Sequence, residues 1–298
     1  NGLQRSWNLR FCMGRGKVAR YGVFTVMQLS CRLTRQPVSV ILLDNRRKKE
    51  VIMEIMPHLQ IRDDLGVHYA ILPGDPARVD RIAEQLTDVE ELAYNREFKS
   101  IRGLYKGVPV LAVSTGIGGP SACIAVEELA RAGVTHMIRI GSGGALQPGI
   151  HLGDLVMVQG AVRSDGASKM YIDPVYPAVP DFDLLTACVT AARQDQLPYH
   201  VGLCRSHDSF YTDQEEEMRT KWTKSGIMVS DMETAALFVV GRLRGVHTAS
   251  ILNTVVEYKD DLEQNINNYA DGASRTMQGE WNEIHTALEA CYIVSSAE

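Results

Sequence analysis

Ile71-Leu72-Pro73-Gly74-Asp75-Pro76-Ala77-Arg78-Val79 is the stretch whose reading decides the fold. An apolar run from Tyr69 to Leu72 reads as a buried strand, and Pro-Gly-Asp-Pro ends it with a turn. Val79, Ile82 and Leu86 then recur on one stripe of a helix. Pro76 suits the first helical position and Arg78 falls in the first turn. Strand, glycine turn and helix start together present backbone N–H groups, the positive end of a helix dipole and a guanidinium. That is an anion site, and phosphate is the anion it suits best. An ordinary strand-to-helix turn carrying a surface arginine reads the same way, so this stretch alone leaves both open.

Working outward, strands and helices alternate from Val67 to the end. Ile101 to Tyr105 and Pro109 to Ser114 read as strands about the turn Lys106-Gly107. Thr115-Gly116-Ile117-Gly118-Gly119 follows, and then a helix through Ala122, Val126 and Leu129. Met137 to Ile140 is a short buried strand leading into Gly141-Ser142-Gly143-Gly144, read as another glycine-rich turn. Strands at Leu155–Val162, His200–Arg205 and Thr248–Val255 alternate with helices at Phe182–Ala192, Gln214–Lys224 and Met232–Arg244. A last helix is expected over about 265 to 290. The alternation predicts one α/β domain, a three-layer α/β/α arrangement about a central mixed, twisted sheet.

Residues 1–52 have a different character. They hold eleven Lys/Arg against Asp44 and Glu50, so the remainder carries −14 of a net charge of −5. The segment is expected to be a basic N-terminal extension or leader outside the fold, with 53–298 as a single domain. An organelle-targeting peptide is the competing reading, weakened by few serines and the strand-like Val38–Leu43. The acidic body argues against nucleic-acid binding. No apolar run approaches the roughly 20 residues that span a bilayer. The six cysteines show neither metal-ligand spacing nor a disulfide framework. A reduced, cytoplasmic setting is expected.

In such sheets ligands bind at the carboxyl ends of strands. Gly74, Gly116–Gly119 and Gly141–Gly144 fall there, with Arg78 and Arg139 beside them. Arg139 sits in the apolar run Met137-Ile138-Arg139-Ile140-Gly141, and a buried arginine is costly unless paired. Its partner is either a ligand anion or a core carboxylate. Ser142 adds a hydroxyl. Asp231-Met232-Glu233 precedes an apolar helix. Asp231 is a natural cap there, and Glu233 could accept from sugar hydroxyls. Phe210 followed four residues later by Gln214 is a possible base-stacking and base-edge pair.

Leu72-Pro-Gly-Asp-Pro-Ala-Arg78, Asn95-Arg-Glu-Phe98, Ser114-Thr-Gly-Ile-Gly-Gly-Pro-Ser121, Ile138-Arg-Ile-Gly-Ser-Gly-Gly-Ala145, Ser164-Asp-Gly-Ala-Ser168, Ser209-Phe-Tyr211 and Asp231-Met-Glu-Thr-Ala235 resemble, in order, the motifs of the nucleoside phosphorylase superfamily, and within it the uridine phosphorylases. The resemblance covers about residues 56 to 292. It implies reversible phosphorolysis of a pyrimidine nucleoside, uridine first, with phosphate as co-substrate and no other cofactor. It implies a phosphate site of Gly74, Arg78, Arg139 and Ser142, completed by Arg96 of a neighbouring subunit. His58, Met232 and Glu233 are then ribose contacts, and Phe210 and Gln214 base contacts; Arg78, Arg139 and Glu233 carry the catalysis. It further implies a homo-oligomer, with a dimer as the minimum active unit and a hexamer as the usual assembly.

Two positions depart from the uridine pattern. Glu216 stands where those enzymes carry an arginine two residues after the glutamine, and Asp231 where they carry a glutamate. A carboxylate is a poor partner for a uracil carbonyl, so Arg205 or Arg219, or an ordered water, is expected to replace the missing cation. The runner-up is a purine nucleoside phosphorylase; its relatives carry an aspartate after the late strand, where this chain has Asn253. A hydrolytic nucleosidase would not need the arginines. A non-catalytic nucleoside-binding protein would not keep the phosphate site.

Overall fold

The computed structural model describes residues 18–21, 24–30, 37–44, 49–260 and 274–297. Two compact units divide the chain, Asn1–Ile55 with Arg62–Asp64, and Met56–Ile61 with Leu65–Glu298. In the first, β1 (Val18–Tyr21), β2 (Phe24–Ser30), β3 (Pro37–Asp44) and β4 (Lys49–Met53) pair in sequence order as an antiparallel sheet. The strand-like Val38–Leu43 lies in β3. Of the expected basic extension, residues 1–17, 22–23, 31–36 and 45–48 lie outside the described residues.

In the second unit the alternation is realised. Its strands are β5 (Tyr69–Pro73), β6 (Thr87–Asn95), β7 (Phe98–Tyr105), β8 (Val108–Val113), β9 (His136–Ala145), β10 (Leu155–Ser164), β11 (Tyr199–His207), β12 (Val229–Asp231) and β13 (His247–Val256). Its helices are α1 (Pro76–Ala83), α2 (Gly119–Arg131), α3 (Ala167–Tyr171), α4 (Phe182–Gln194), α5 (Glu215–Lys224), α6 (Thr234–Leu243) and α7 (Ser274–Ser295). Part of the expected last helix, 265–273, lies outside the described residues. The mixed sheet runs β12-β11-β10-β13-β9-β5-β8-β7-β6, and β12 pairs with β9 as well as β11. The strands β9, β13, β10, β11 and β12 thereby close a ring, and among the described residues the sheet ends in an open edge at β6.

Because successive side chains of a strand point to opposite faces, each strand feeds two cores. Ala70 and Leu72 of β5 and Met137 of β9 pack with Val126 and Leu129 of α2 and Phe238 of α6. Tyr69, Ile71, Ile138 and Ile140 pack instead with Val79 and Ile82 of α1, Cys188 of α4 and Leu288 of α7. This is the three-layer α/β/α arrangement expected.

Two local readings need correction. Gly141–Gly144 is no turn. It continues β9 and pairs in parallel with β13, Gly141 opposite Leu252 and Ser142 opposite Asn253. Glycine at 141 leaves room for the Arg139 guanidinium, which folds back over it; a Cβ there would push that group aside. The second is an omission: Thr87–Asn95, given no element above, forms β6. Its first five residues are exposed, so no buried alternation marks it as a strand.

Candidate active site

Asp75 caps α1, accepting the Ala77 N–H at 2.9 Å, and this fixes the first turn so that Arg78 leaves it toward the sheet. Arg78 is buried. Its Nη2 donates to Ser142 Oγ at 3.3 Å and its Nη1 to the Ile140 carbonyl at 3.4 Å. Nε donates to Glu280 Oε2 at 3.1 Å, and Nη1 lies 2.9 Å from Glu283 Oε1. Both acids come from α7, and Glu280 also holds Arg81. Glu283 accepts the Gly141 N–H at 3.1 Å. Burial drives its carboxyl up to about 8, against the pull of Arg78, and the Glu280 charge adds to the rise. A carboxyl raised in this way holds its proton further toward neutrality than a free one, and to that extent leaves more of the Arg78 charge for an anion.

Arg139 belongs to the opposite face. It is 5% exposed and shares a hollow with Leu72, Thr115, Val126 and Glu233. Nε donates to Asp231 Oδ2 at 3.0 Å, and Nη2 lies 2.6 Å from Glu233 Oε2. Of the two partners raised for this arginine by its sequence context, a ligand anion and a core carboxylate, the structure shows carboxylates, those of Asp231 and Glu233. Burial opposes the guanidinium charge, but Glu233 and Asp231 outweigh it. Asp231 is well supplied: Ser206 Oγ and Thr234 Oγ1 each donate to it at 2.6 Å and the Thr234 N–H at 3.0 Å. Burial pushes Asp231 upward, yet Arg139 and these donors hold it below its ordinary value. Glu233 takes donors from Arg139 and from the Gly118 and Met232 N–H groups but has no hydroxyl partner among the described residues, and burial with the Asp231 charge raises it.

Arg78 with Ser142, and Arg139 with Glu233, therefore form two buried clusters on the two faces of β9, near enough for the guanidinium charges to act on one another, with Gly74 following β5 and half-buried Met232 beside Glu233. The other candidates lie elsewhere. His58 is anchored to Glu128 of α2, Nδ1 to Oε1 at 2.6 Å, and its carbonyl accepts from Asn95 at 2.8 Å. Arg96 is exposed next to Asn95, in a left-handed turn with φ of 57°. No hydrogen bond among the described residues ties His58 or Arg96 to Arg78 or Arg139. Phe210 is half-buried and packs edge-on against Tyr211 at 4.9 Å; Gln214 and Glu216 are exposed around the start of α5. Asn253 donates to the Thr276 carbonyl at 2.9 Å.

Glu280 and Glu283 were not anticipated. Two acids three residues apart on the apolar face of the last helix are the available signal, since a buried pair of carboxylates demands cations. Glu128 was likewise missed. No group of three or more His, Cys, Asp or Glu able to hold a metal occurs among the described residues.

Residues 68–278 match the model of the phosphorylase superfamily. The chain is 43% identical over 199 residues to the guanosine phosphorylase of Halorubrum lacusprofundi, covering 67% of this chain and 82% of that one. It is 40% identical to the uridine phosphorylase of Treponema pallidum over 199 residues, 63% of this chain and 77% of the other. The crystal structure of uridine phosphorylase from Vibrio fischeri superposes with a TM-score of 0.75 at 46% identity, covering 80% of this chain and 97% of that one.

Proposed function

The chain belongs to the phosphorylase superfamily, and on that premise we propose that it is a pentosyltransferase cleaving pyrimidine nucleosides, uridine first, with inorganic phosphate. The observation that carries this reading is the two buried arginines beside one strand, Arg78 with Ser142 on one face of β9 and Arg139 with Glu233 on the other. A phosphate oxygen forms a bond to C1′ as the C1′–N bond breaks, and the bonding pair leaves with the base, which then takes a proton. The products are ribose 1-phosphate and free base, and the reaction reverses.

The chain's residues supply position and charge. Arg78 and Arg139 approach the anion from the two faces of β9, with Ser142 Oγ and the Gly74 turn as further donors. Glu233, its second oxygen oriented by Gly118, accepts from the ribose hydroxyls with Met232 against the sugar. Glu280 and Glu283 hold Arg78 in place. Residues 53–298 are the catalytic domain in this reading and 1–52 an appended segment. Phosphate is the sole co-substrate, with no cofactor.

His58 and Arg96, set apart from the cradle of their own chain, serve the site of a second copy; a dimer is then the smallest active unit, and three dimers form a hexamer. No described helix is long and apolar enough to cross a membrane, and we assign the enzyme to nucleoside salvage in the cytoplasm. The guanosine phosphorylase among its relatives supports a second reading, in which the base is a purine. Incubation with uridine, thymidine, inosine, guanosine and adenosine, each with and without phosphate, decides between them. Phosphate-dependent uracil release is expected, and release from guanosine alone overturns the pyrimidine assignment.

A further inference from the structure

Arg205 lies near the carboxyl end of β11, five residues before Phe210. It is 6% exposed, yet among the described residues its Nε and Nη1 have no hydrogen-bond partner. The nearest anion is Glu215, the first residue of α5, with Oε2 at 3.7 Å from Nη1. That is an ion contact and too long for a hydrogen bond. Glu215 Oε2 is itself buried and unpartnered. Buried donors and acceptors are nearly always satisfied, so a facing pair left open on both sides calls for an explanation. Neighbouring groups do not close it. His207 Nδ1 is occupied by the Ser209 carbonyl at 3.0 Å, and Glu216 points to solvent.

The open atoms have a definite polarity, a fixed cationic donor beside a fixed anionic acceptor, next to the loop that carries Phe210 and Gln214. We propose that Arg205 and Glu215 read the lactam edge of the nucleobase, Arg205 donating to a ring carbonyl oxygen and Glu215 accepting from the adjacent ring N–H. Uracil, thymine, hypoxanthine and guanine present that pair. Cytosine and adenine present an amino donor and a bare ring nitrogen instead, so in the same pose donor meets donor and acceptor meets acceptor. Of the two cations that the sequence offers in place of the one missing at Glu216, this selects Arg205; Arg219 has no such buried, open donors. The inference rests on the proposed nucleoside site but does not depend on which ring size it takes.

The test is calorimetric titration of the full chain, with phosphate present, by uracil, cytosine, hypoxanthine and adenine, repeated on Arg205→Gln, Arg205→Lys and Glu215→Gln. Wild type is expected to favour each lactam base over its amino counterpart by roughly a hundredfold or more. Arg205→Gln is expected to remove most of that preference, Arg205→Lys to keep part of it, and Glu215→Gln, at a partly exposed residue, to narrow it. Equal binding of lactam and amino bases by wild type overturns the proposal. So does a preference unchanged in Glu215→Gln and in whichever Arg205 variant folds. Failure of wild type to phosphorolyse uridine overturns the pyrimidine assignment instead, and leaves these base-binding ratios to stand or fall by themselves.

Discussion

Replacing Arg139 with alanine should cost stability as well as activity. The guanidinium is 5% exposed and lies between Asp231 at 3.0 Å and Glu233 at 2.6 Å. Removing the shared cation of a buried pair leaves uncompensated charge, at about 3–5 kcal/mol. That is a large share of the 5–15 kcal/mol typical of a domain. The two acids do not suffer equally. Asp231 keeps its hydroxyl donors from Ser206 and Thr234, whereas Glu233 keeps backbone N–H groups, those of Gly118 and Met232. Glu233 is already raised by burial, and without Arg139 it rises further. A carboxyl raised in the folded state holds a proton that the unfolded chain releases, so stability falls as pH rises above its unfolded value. The penalty of Arg139→Ala should therefore grow from pH 5 toward neutrality and shrink in Arg139→Ala/Glu233→Gln.

Urea denaturation at several pH values, read as midpoint shifts at constant slope, measures this. The double variant should recover roughly 1–3 kcal/mol of the loss while phosphorolysis stays at least about a hundredfold down. A single variant within about 0.5 kcal/mol of wild type, or a double variant no more stable than the single, refutes the reasoning. Wild-type-like phosphate saturation in either removes Arg139 from the phosphate site.

Glu283→Gln should flatten a second pH dependence. With a folded pKa of about 8 against an ordinary 4.5, the Glu283 carboxyl makes wild type lose stability as pH rises across that window. Its ionisation beside Arg78 should also weaken phosphate binding above pH 8. The glutamine variant should lose both slopes, as followed by melting temperature and by the KM for phosphate; retention of both would show that another group titrates. If Arg96 acts across an interface, mixing inactive Arg96→Ala chains with inactive Arg139→Ala/Glu233→Gln chains should restore activity to about a quarter of the sites, since each mixed dimer holds one intact site. No recovery after subunit exchange, with mixed dimers verified, would place Arg96 in its own chain's chemistry or outside it.

Local chemistry made much of this molecule legible in the sequence. Tyr69 to Ala83 could be read as strand, turn and helix because an apolar run, two prolines and a helical stripe all agree there. Arg139 stood out because a charge within an apolar strand must find a partner. What stayed hidden depends on contacts distant along the chain. Asp231 lies 92 residues from Arg139, and Glu280 lies 202 from Arg78. Glycines 141–144 looked like a turn because glycine is common in turns; here the lack of side chains makes room for a folded-back guanidinium within a continuous strand. Strand β6 escaped because its outward, acidic face lacks the apolar alternation by which a half-buried strand is known.

That acidic strand has a consequence for how copies of this protein meet. A sheet that ends openly offers unpaired amides and carbonyls on which another strand can be templated, the first step toward runaway β-association. On one side β12 returns to β9, so no rim is left exposed there. On the other, β6 carries Asp88, Glu90 and Glu91, with register shifts on either side of Glu90–Glu91 and a left-handed Asp88. Charge and a broken hydrogen-bond rhythm make that rim a poor template. Self-association is thus steered from strand addition toward side-chain surfaces, where geometry can limit the number of copies.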